Sequence, residues 1–306
     1  MSAAVLQCLP SAARDASRLA SRLGVLIHEI EVHQFPDGEL RVTVGPTAPT
    51  TILYVPLDRP NDKLAALLFT AEALRRNGAQ RLVLVAPYLC YMRQDAAFRT
   101  GEAISQKVIG RLLADIVDRV ITIDAHLHRT ARIEDVFPGI ESDNLSAVSA
   151  IADTLRTTGL DSKTIVVGPD AESRPWVSDL AGRLGVAYAV ARKERHSDRS
   201  VDIGFADPKL FAGRPVLLID DIVSSGGTLI ACAKALVAAG AATIDAVVAH
   251  ALFPQALTAS FSRAGIRSVR STNTVPHPTN AIILDDILAT ALRSELPNAP
   301  ASEKPS

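Results

Sequence analysis

A chain of 306 residues, 48% of them hydrophobic, has room for two medium domains with substantial cores. Its 32 basic and 33 acidic side chains almost cancel, which excludes a general electrostatic attraction to nucleic acid or a membrane surface. An anionic ligand must therefore be captured by a local site. Three scattered cysteines (Cys8, Cys90, Cys232) lack CxxC spacing and give neither a disulfide framework nor a structural zinc site.

The first residues, "MSAAVLQCLPSAARD", show no basic region followed by a long apolar one, so no signal peptide is expected. A first amphipathic helix is predicted where Ala16, Leu19, Ala20 and Leu23 form a stripe. Short apolar runs at 52–55 and 82–86 read as strands. A second helical stripe follows at Val108, Ile109, Leu112 and Ile116, then a strand at 120–123. The segment "FPGIESDNLSA" (137–147) is rich in turn formers and marks the domain boundary. Strands are predicted next at 164–167, 187–190 and 216–219, with a third stripe at Leu229, Ala233, Leu236 and Val237. Strands at 246–250 and 282–284 complete the set. The most apolar stretch, 231–252, is interrupted by Lys234, Gly240 and Asp245 and does not read as membrane-spanning. A cytoplasmic protein is expected. Strands alternating with helices imply doubly wound α/β domains with mostly parallel sheets, at 1–143 and 144–296. The small, proline-rich tail 297–306 reads as disordered.

One stretch is chemically specific. "VLLIDDIVSSGGT" (216–228) runs from an apolar strand into Asp220 and Asp221, then Ser224, Ser225, Gly226, Gly227 and Thr228, and then a helix. In open α/β sheets ligands bind beyond the carboxyl ends of the strands. Glycines permit close approach to backbone amides, a helix N-terminus favours an anion, and hydroxyls add donors. This is a phosphate cradle. Adjacent carboxylates would repel a bare phosphate, but they suit sugar hydroxyls or a bridging divalent cation. Together they describe a ribose 5-phosphate site. There is no GK[ST] P-loop and no GxGxxG after a strand.

This arrangement resembles the signature of the phosphoribosyltransferase superfamily. Further stretches are similar to the ribose-phosphate diphosphokinases (phosphoribosyl diphosphate synthases), in that family's order. "FPDGEL" (35–40) resembles its adenine-binding loop and "YMRQD" (91–95), followed by "GEAIS", its ATP-contact segment. "IDAHLH" places His126 where the family has a magnesium-linked histidine, and "ARKERHSDRS" (191–200) resembles its flexible catalytic loop. "NTVP" (273–276) also fits. In isolation, Pro36-Asp37-Gly38 would be a turn and the basic run a solvated loop.

The resemblance implies two phosphoribosyltransferase-like domains, with the ATP side in the first and the ribose 5-phosphate loop in the second. It implies that Lys193 and Arg195 are catalytic and that Phe35, Asp37, Glu39, Arg93 and Gln94 bind ATP. His126 and Asp170 would hold Mg²⁺, and Asp220 to Thr228 the sugar phosphate. It also implies a homodimer, or a larger assembly of dimers, in which the Phe35 loop serves a neighbour's ATP. The sequence departs from the pattern at Ser224, where the best-known class has aspartate, and at Ser225, where threonine is common. "GPDAESR" (168–174) lacks the glycine pair after Asp170. A plain phosphoribosyltransferase and a non-catalytic homologue of the synthase are the alternatives.

Overall fold

The structure, a computed structural model, describes residues 3–197 and 200–296, and the side chains of 193–202 fall outside the description. The expected tail, 297–306, lies outside the described residues. The chain divides into two compact units, residues 3–145 with 284–296 and residues 146–283. The sequence reading places 284–296 in the second domain. The contacts place it in the first.

In the first unit the elements are β1 (Ala4–Cys8), α1 (Ala13–Leu23), β2 (Leu26–Glu29), β3 (Glu31–Gln34), β4 (Leu40–Thr43), β5 (Thr50–Tyr54), α2 (Pro60–Arg76), β6 (Arg81–Ala86), α3 (Ser105–Ala114), β7 (Arg119–Ile123) and β8 (Glu141–Leu145). Six strands form a parallel sheet in the order β2-β1-β5-β6-β7-β8. Its central strands carry apolar runs because helices cover both faces; Ile52, Leu53 and Leu82 to Ala86 are fully buried. Each such Leu, Ile or Val contributes about 1.5–3 kcal/mol by leaving water.

The second unit contains α4 (Val148–Thr157), β9 (Ile165–Gly168), α5 (Arg174–Leu184), β10 (Ala187–Val190), β11 (Arg192–Ser197), β12 (Ser200–Gly204), β13 (Pro215–Val223), α6 (Gly227–Ala238), β14 (Thr243–Ala251), α7 (Thr258–Arg263), β15 (Ile266–Thr272) and β16 (Asn280–Ile282). Its parallel sheet has the order β10-β9-β13-β14-β15-β16. The last helix, α8 (Asp285–Ala291), belongs to the first unit, where Arg18 of α1 donates to Asp285 at 2.9 Å.

Both sheets follow one path. The chain lays down an inner strand, steps to an edge strand, crosses back past the first and works outward to the other edge. Both also insert a two-stranded antiparallel hairpin directly after the edge strand, β3–β4 in one unit and β11–β12 in the other.

Two further sequence expectations need correction. In α3 the buried face is Gln106, Ile109, Gly110 and Leu113. Val108 is 58% exposed. The face is set by the approach of Gly110 to Val136 and by the Gln106 amide, which accepts from Thr130 Oγ1 at 2.7 Å. The turn-rich stretch at 137–147 contains an edge strand, β8, whose polar residues are in use: Asp143 accepts from Arg119 at 2.8 Å and Asn144 from the Ala125 N–H at 2.8 Å. Among the described residues no helix is long and apolar enough to cross a membrane.

Candidate active site

Strand β13 is longer than predicted and carries Asp220 and Asp221 within its last four residues. Pairing with β14 skips Asp221 and resumes at Ile222 and Val223; the Asp221 N–H donates to Asp220 Oδ1 at 3.1 Å and the Ile222 N–H to Asp221 Oδ1 at 2.7 Å. The chain then bends through Ser224 and Ser225 into Gly226, which adopts φ +72° and caps α6. Its carbonyl accepts the first helical hydrogen bond, from Ile230 at 2.9 Å. Helix geometry leaves the N–H groups of Gly227, Thr228 and Leu229 without intrahelical acceptors.

The two glycines do different work. A Cβ on Gly226 would lie 2.7 Å from both Leu257 and Phe261, so this glycine is required by its φ and by packing. A Cβ on Gly227 would meet only Ser225 Oγ, at 3.9 Å. The space beside Gly227 is therefore open, as a site for an anion at these amides requires.

Asp170 follows the neighbouring strand β9, extended at φ −160°, and its carboxylate accepts from the Ser173 N–H at 3.2 Å. Burial, then the charges of Asp221 and Asp170, push the Asp220 carboxyl well above the usual carboxylate range. Three acids thus crowd the carboxyl ends of two adjacent strands, β9 and β13, where a divalent cation would relieve their repulsion. Among the described residues no group of three or more His, Cys, Asp or Glu side chains converges as an ion site. The donors fit a magnesium ion that takes one or two carboxylates from the protein and completes its shell from substrate oxygens and water.

Lys193 and Arg195 fall on β11, opposite Ile203 and Val201 of β12. Their side chains lie outside the described residues. In "NTVP", Asn273 and Thr274 are buried after β15, and Thr274 Oγ1 donates to the Ala249 carbonyl at 3.0 Å, so these residues pack the strand ends.

In the first unit, "FPDGEL" is the tip of the β3–β4 hairpin. The Phe35 N–H donates to the Glu39 carbonyl at 2.8 Å and the Gly38 N–H to the Phe35 carbonyl at 2.9 Å. The turn expected of Pro-Asp-Gly is formed, and it leaves Phe35, Asp37 and Glu39 exposed at its apex. Arg93 and Gln94 lie in the loop after β6, and His126 in the loop after β7, with its ring edge-on to His128 at 3.7 Å between centroids. These adjacent strands bring the two loops to one sheet edge. Asp95 joins them: its carboxylate accepts from the Arg129 guanidinium at 2.9 Å and the Arg129 N–H at 3.1 Å. Burial would raise the Asp95 carboxyl, but these bonds and the Arg129 charge hold it below its ordinary value. Sequence reasoning quoted Asp95 within a motif and missed Arg129.

The comparisons with known proteins agree with this division. Residues 6–116 match the family described as the N-terminal domain of ribose phosphate pyrophosphokinase, and residues 142–280 match the phosphoribosyl transferase domain. The two units are therefore of phosphoribosyltransferase type. A ribose-phosphate pyrophosphokinase of Methanopyrus kandleri is 32% identical over 281 residues, covering 90% of this chain and 94% of the relative. One of Thermococcus kodakarensis is 33% identical over 260 residues, covering 85% and 90%. The solved phosphoribosylpyrophosphate synthetase of Mycobacterium smegmatis shares the fold, with a TM-score of 0.82 at 24% identity over 95% of this chain and 98% of that one. The chain belongs to the ribose-phosphate pyrophosphokinase family.

Proposed function

We propose that this protein transfers the β,γ-diphosphate of ATP to the C1 hydroxyl of ribose 5-phosphate, giving 5-phosphoribosyl 1-diphosphate and AMP, as a cytoplasmic enzyme. The observation that carries the reading is the end of β13, where paired carboxylates precede an open, glycine-lined helix start. Asp220 and Asp221 accept from the ribose hydroxyls, and Ser224 to Thr228 hold the 5-phosphate through hydroxyls and backbone amides. Phe35 offers a face for adenine, with Asp37 and Glu39 as acceptors for its amine. Arg93 and Gln94 bind the nucleotide's polar groups.

The C1 oxygen attacks the β-phosphorus in line and loses its proton. The bond from that phosphorus to the α,β-bridging oxygen breaks, and AMP leaves. The protein's contribution is positioning and neutralisation of charge. Lys193 and Arg195 serve the charge that develops on the transferring group. When bound, Mg²⁺ would neutralise the phosphates, with His126 and Asp170 on the ATP side and the paired aspartates holding the ribose hydroxyls directly or through a second ion. A phosphoribosyltransferase would need neither the first unit nor its ATP motifs. A non-catalytic homologue would have no reason to keep Lys193, Arg195, His126 and both aspartates. AMP should form in step with the sugar diphosphate only when Mg²⁺ and ribose 5-phosphate are both supplied. ADP as the nucleotide product would contradict the reading.

The exposed apex of the β3–β4 hairpin supports a second element of the proposal, a homodimer in which Phe35, Asp37 and Glu39 complete the neighbour's site. A Phe35→Ala, Asp37→Ala protein and a Lys193→Ala protein, refolded together, should recover up to about a quarter of normal activity through mixed dimers. Proven hybrids without recovery would place the whole site in one chain.

A further inference from the structure

Three non-glycine residues among those described have positive φ: Arg59 (46°), Tyr91 (62°) and Asp124 (38°). Each follows the carboxyl end of a different strand, and those strands, β5, β6 and β7, are neighbours in the first sheet. Such residues are strained and persist only where the surroundings hold them.

The restraints are visible. Tyr91 Oη donates to Asn61 Oδ1 at 2.5 Å, tying the loop after β6 to the first turn of α2. The Asp124 N–H donates to the Leu145 carbonyl at 2.8 Å, tying the loop after β7 to β8. Within 91–102, Glu102 Oε2 gathers the N–H groups of Phe98 at 2.8 Å and Arg99 at 3.1 Å and the Gln94 amide at 3.3 Å. Between the loops stands Arg129. It gives both a backbone and a side-chain hydrogen bond to Asp95, whose side chain is only 2% exposed, and its guanidinium lies 5.1 Å from the Phe98 ring centroid. Thr130 adds the bond to Gln106, at the start of α3.

We propose that Arg129 is a positioning residue for the nucleotide, acting through Asp95 to hold the Arg93–Gln94 loop in register with the His126 loop. Asp95 directly follows Gln94, and Arg129 lies three residues beyond His126. A shift of either loop therefore moves the candidate ATP groups relative to each other. The guanidinium is 59% exposed, so its removal uncovers no core. The inference rests on the proposed ATP role of this edge.

Arg129→Met and Arg129→Lys test it, with steady-state kinetics for both substrates and with trypsin, which cuts after the exposed Arg93 and Arg99. Arg129→Met should raise the KM for ATP about 10- to 100-fold while the KM for ribose 5-phosphate stays within about twofold. Arg129→Lys, which keeps a cation facing Asp95, should restore most of the loss. Cleavage at Arg93 and Arg99 without nucleotide should accelerate in Arg129→Met. Unchanged ATP kinetics, or equal losses for both substrates, would overturn the inference. Should the normal protein show no nucleotide turnover, the functional reading fails, and the tryptic pattern still decides whether Arg129 clamps the loops. An unaltered pattern removes the clamp.

Discussion

The two units share one strand path and hold their polar chemistry at different places on it. An open sheet of this type has a crevice where the chain reverses direction, between β1 and β5 in the first unit and between β9 and β13 in the second. In the second unit that crevice carries Asp170, Asp220, Asp221 and the glycine-lined start of α6. In the first it is sealed: Cys8, Leu9, Val55 and Leu57 are buried there. The polar loops lie one strand further along, after β6 and β7. The hairpins keep their positions, and the two stretches read as nucleotide-facing and catalytic, Phe35 to Leu40 and Lys193 to Arg195, sit on equivalent insertions. The lesson is that a repeated scaffold fixes where loops emerge, while the side chains lining the crevice decide which loops can take a ligand.

The largest effect expected from breaking this division is on catalysis. Lys193→Ala should lower kcat about 10²–10³-fold while ribose 5-phosphate affinity changes little. Near-normal turnover would reduce β11 to a solvated strand.

Next is a tie within the first unit. Glu295, with its side chain 4% exposed, accepts from Arg81 at 2.6 Å and from Arg119 at 2.8 Å. Burial would raise its carboxyl, but these hydrogen bonds and charges hold it below its ordinary value. Glu295→Gln should destabilise the first unit by about 3 kcal/mol, because it leaves two arginines without their shared carboxylate. The pH dependence has a definite sign. The folded carboxyl binds its proton less readily than the unfolded one, so its contribution is complete above the unfolded value of about 4.3. It is lost as pH falls through the lower folded value. Thermal unfolding of the normal protein and the variant should therefore converge on acidification. Parallel curves would exclude Glu295.

A smaller effect separates the glycines of the cradle. Gly226→Ala should cost about 1–3 kcal/mol in denaturant unfolding, since it meets Leu257 and Phe261 at a positive φ. Gly227→Ala should cost less than about 1 kcal/mol. Equal costs would mean that Gly227 faces protein.

Much of this was legible in the sequence where the physics is local. Strands buried on both faces appear as unbroken apolar runs: β6, β7, β13 and β14 contain their predicted segments, and β5 contains all of its own but Val55. The cradle was legible because strand, acids, hydroxyls and glycines are contiguous. Two edge strands were not: β2 and β8 have a polar or exposed side and few apolar residues in sequence, whereas the edge strand β10 coincides with its predicted 187–190. In β1, Gln7 breaks the apolar run, although it is fully buried and donates to the carbonyls of Gly45 and Pro46 at 3.2 Å. The α3 face was misread by one position because a glycine contact and a buried amide, which carry no hydrophobic signal, define it. Asp95 and Arg129 lie 34 residues apart, and only the fold brings them together.

The most direct test of the central claim, that the end of β13 holds a sugar phosphate, is calorimetric titration of the normal protein and Gly227→Val with ribose 5-phosphate and with ribose. The normal protein should bind ribose 5-phosphate about 10²-fold more tightly than ribose. Gly227→Val should lose that advantage while its melting temperature stays within a few degrees. Ribose 5-phosphate binding that survives Gly227→Val, or equal affinity of the normal protein for the two sugars, would contradict the account.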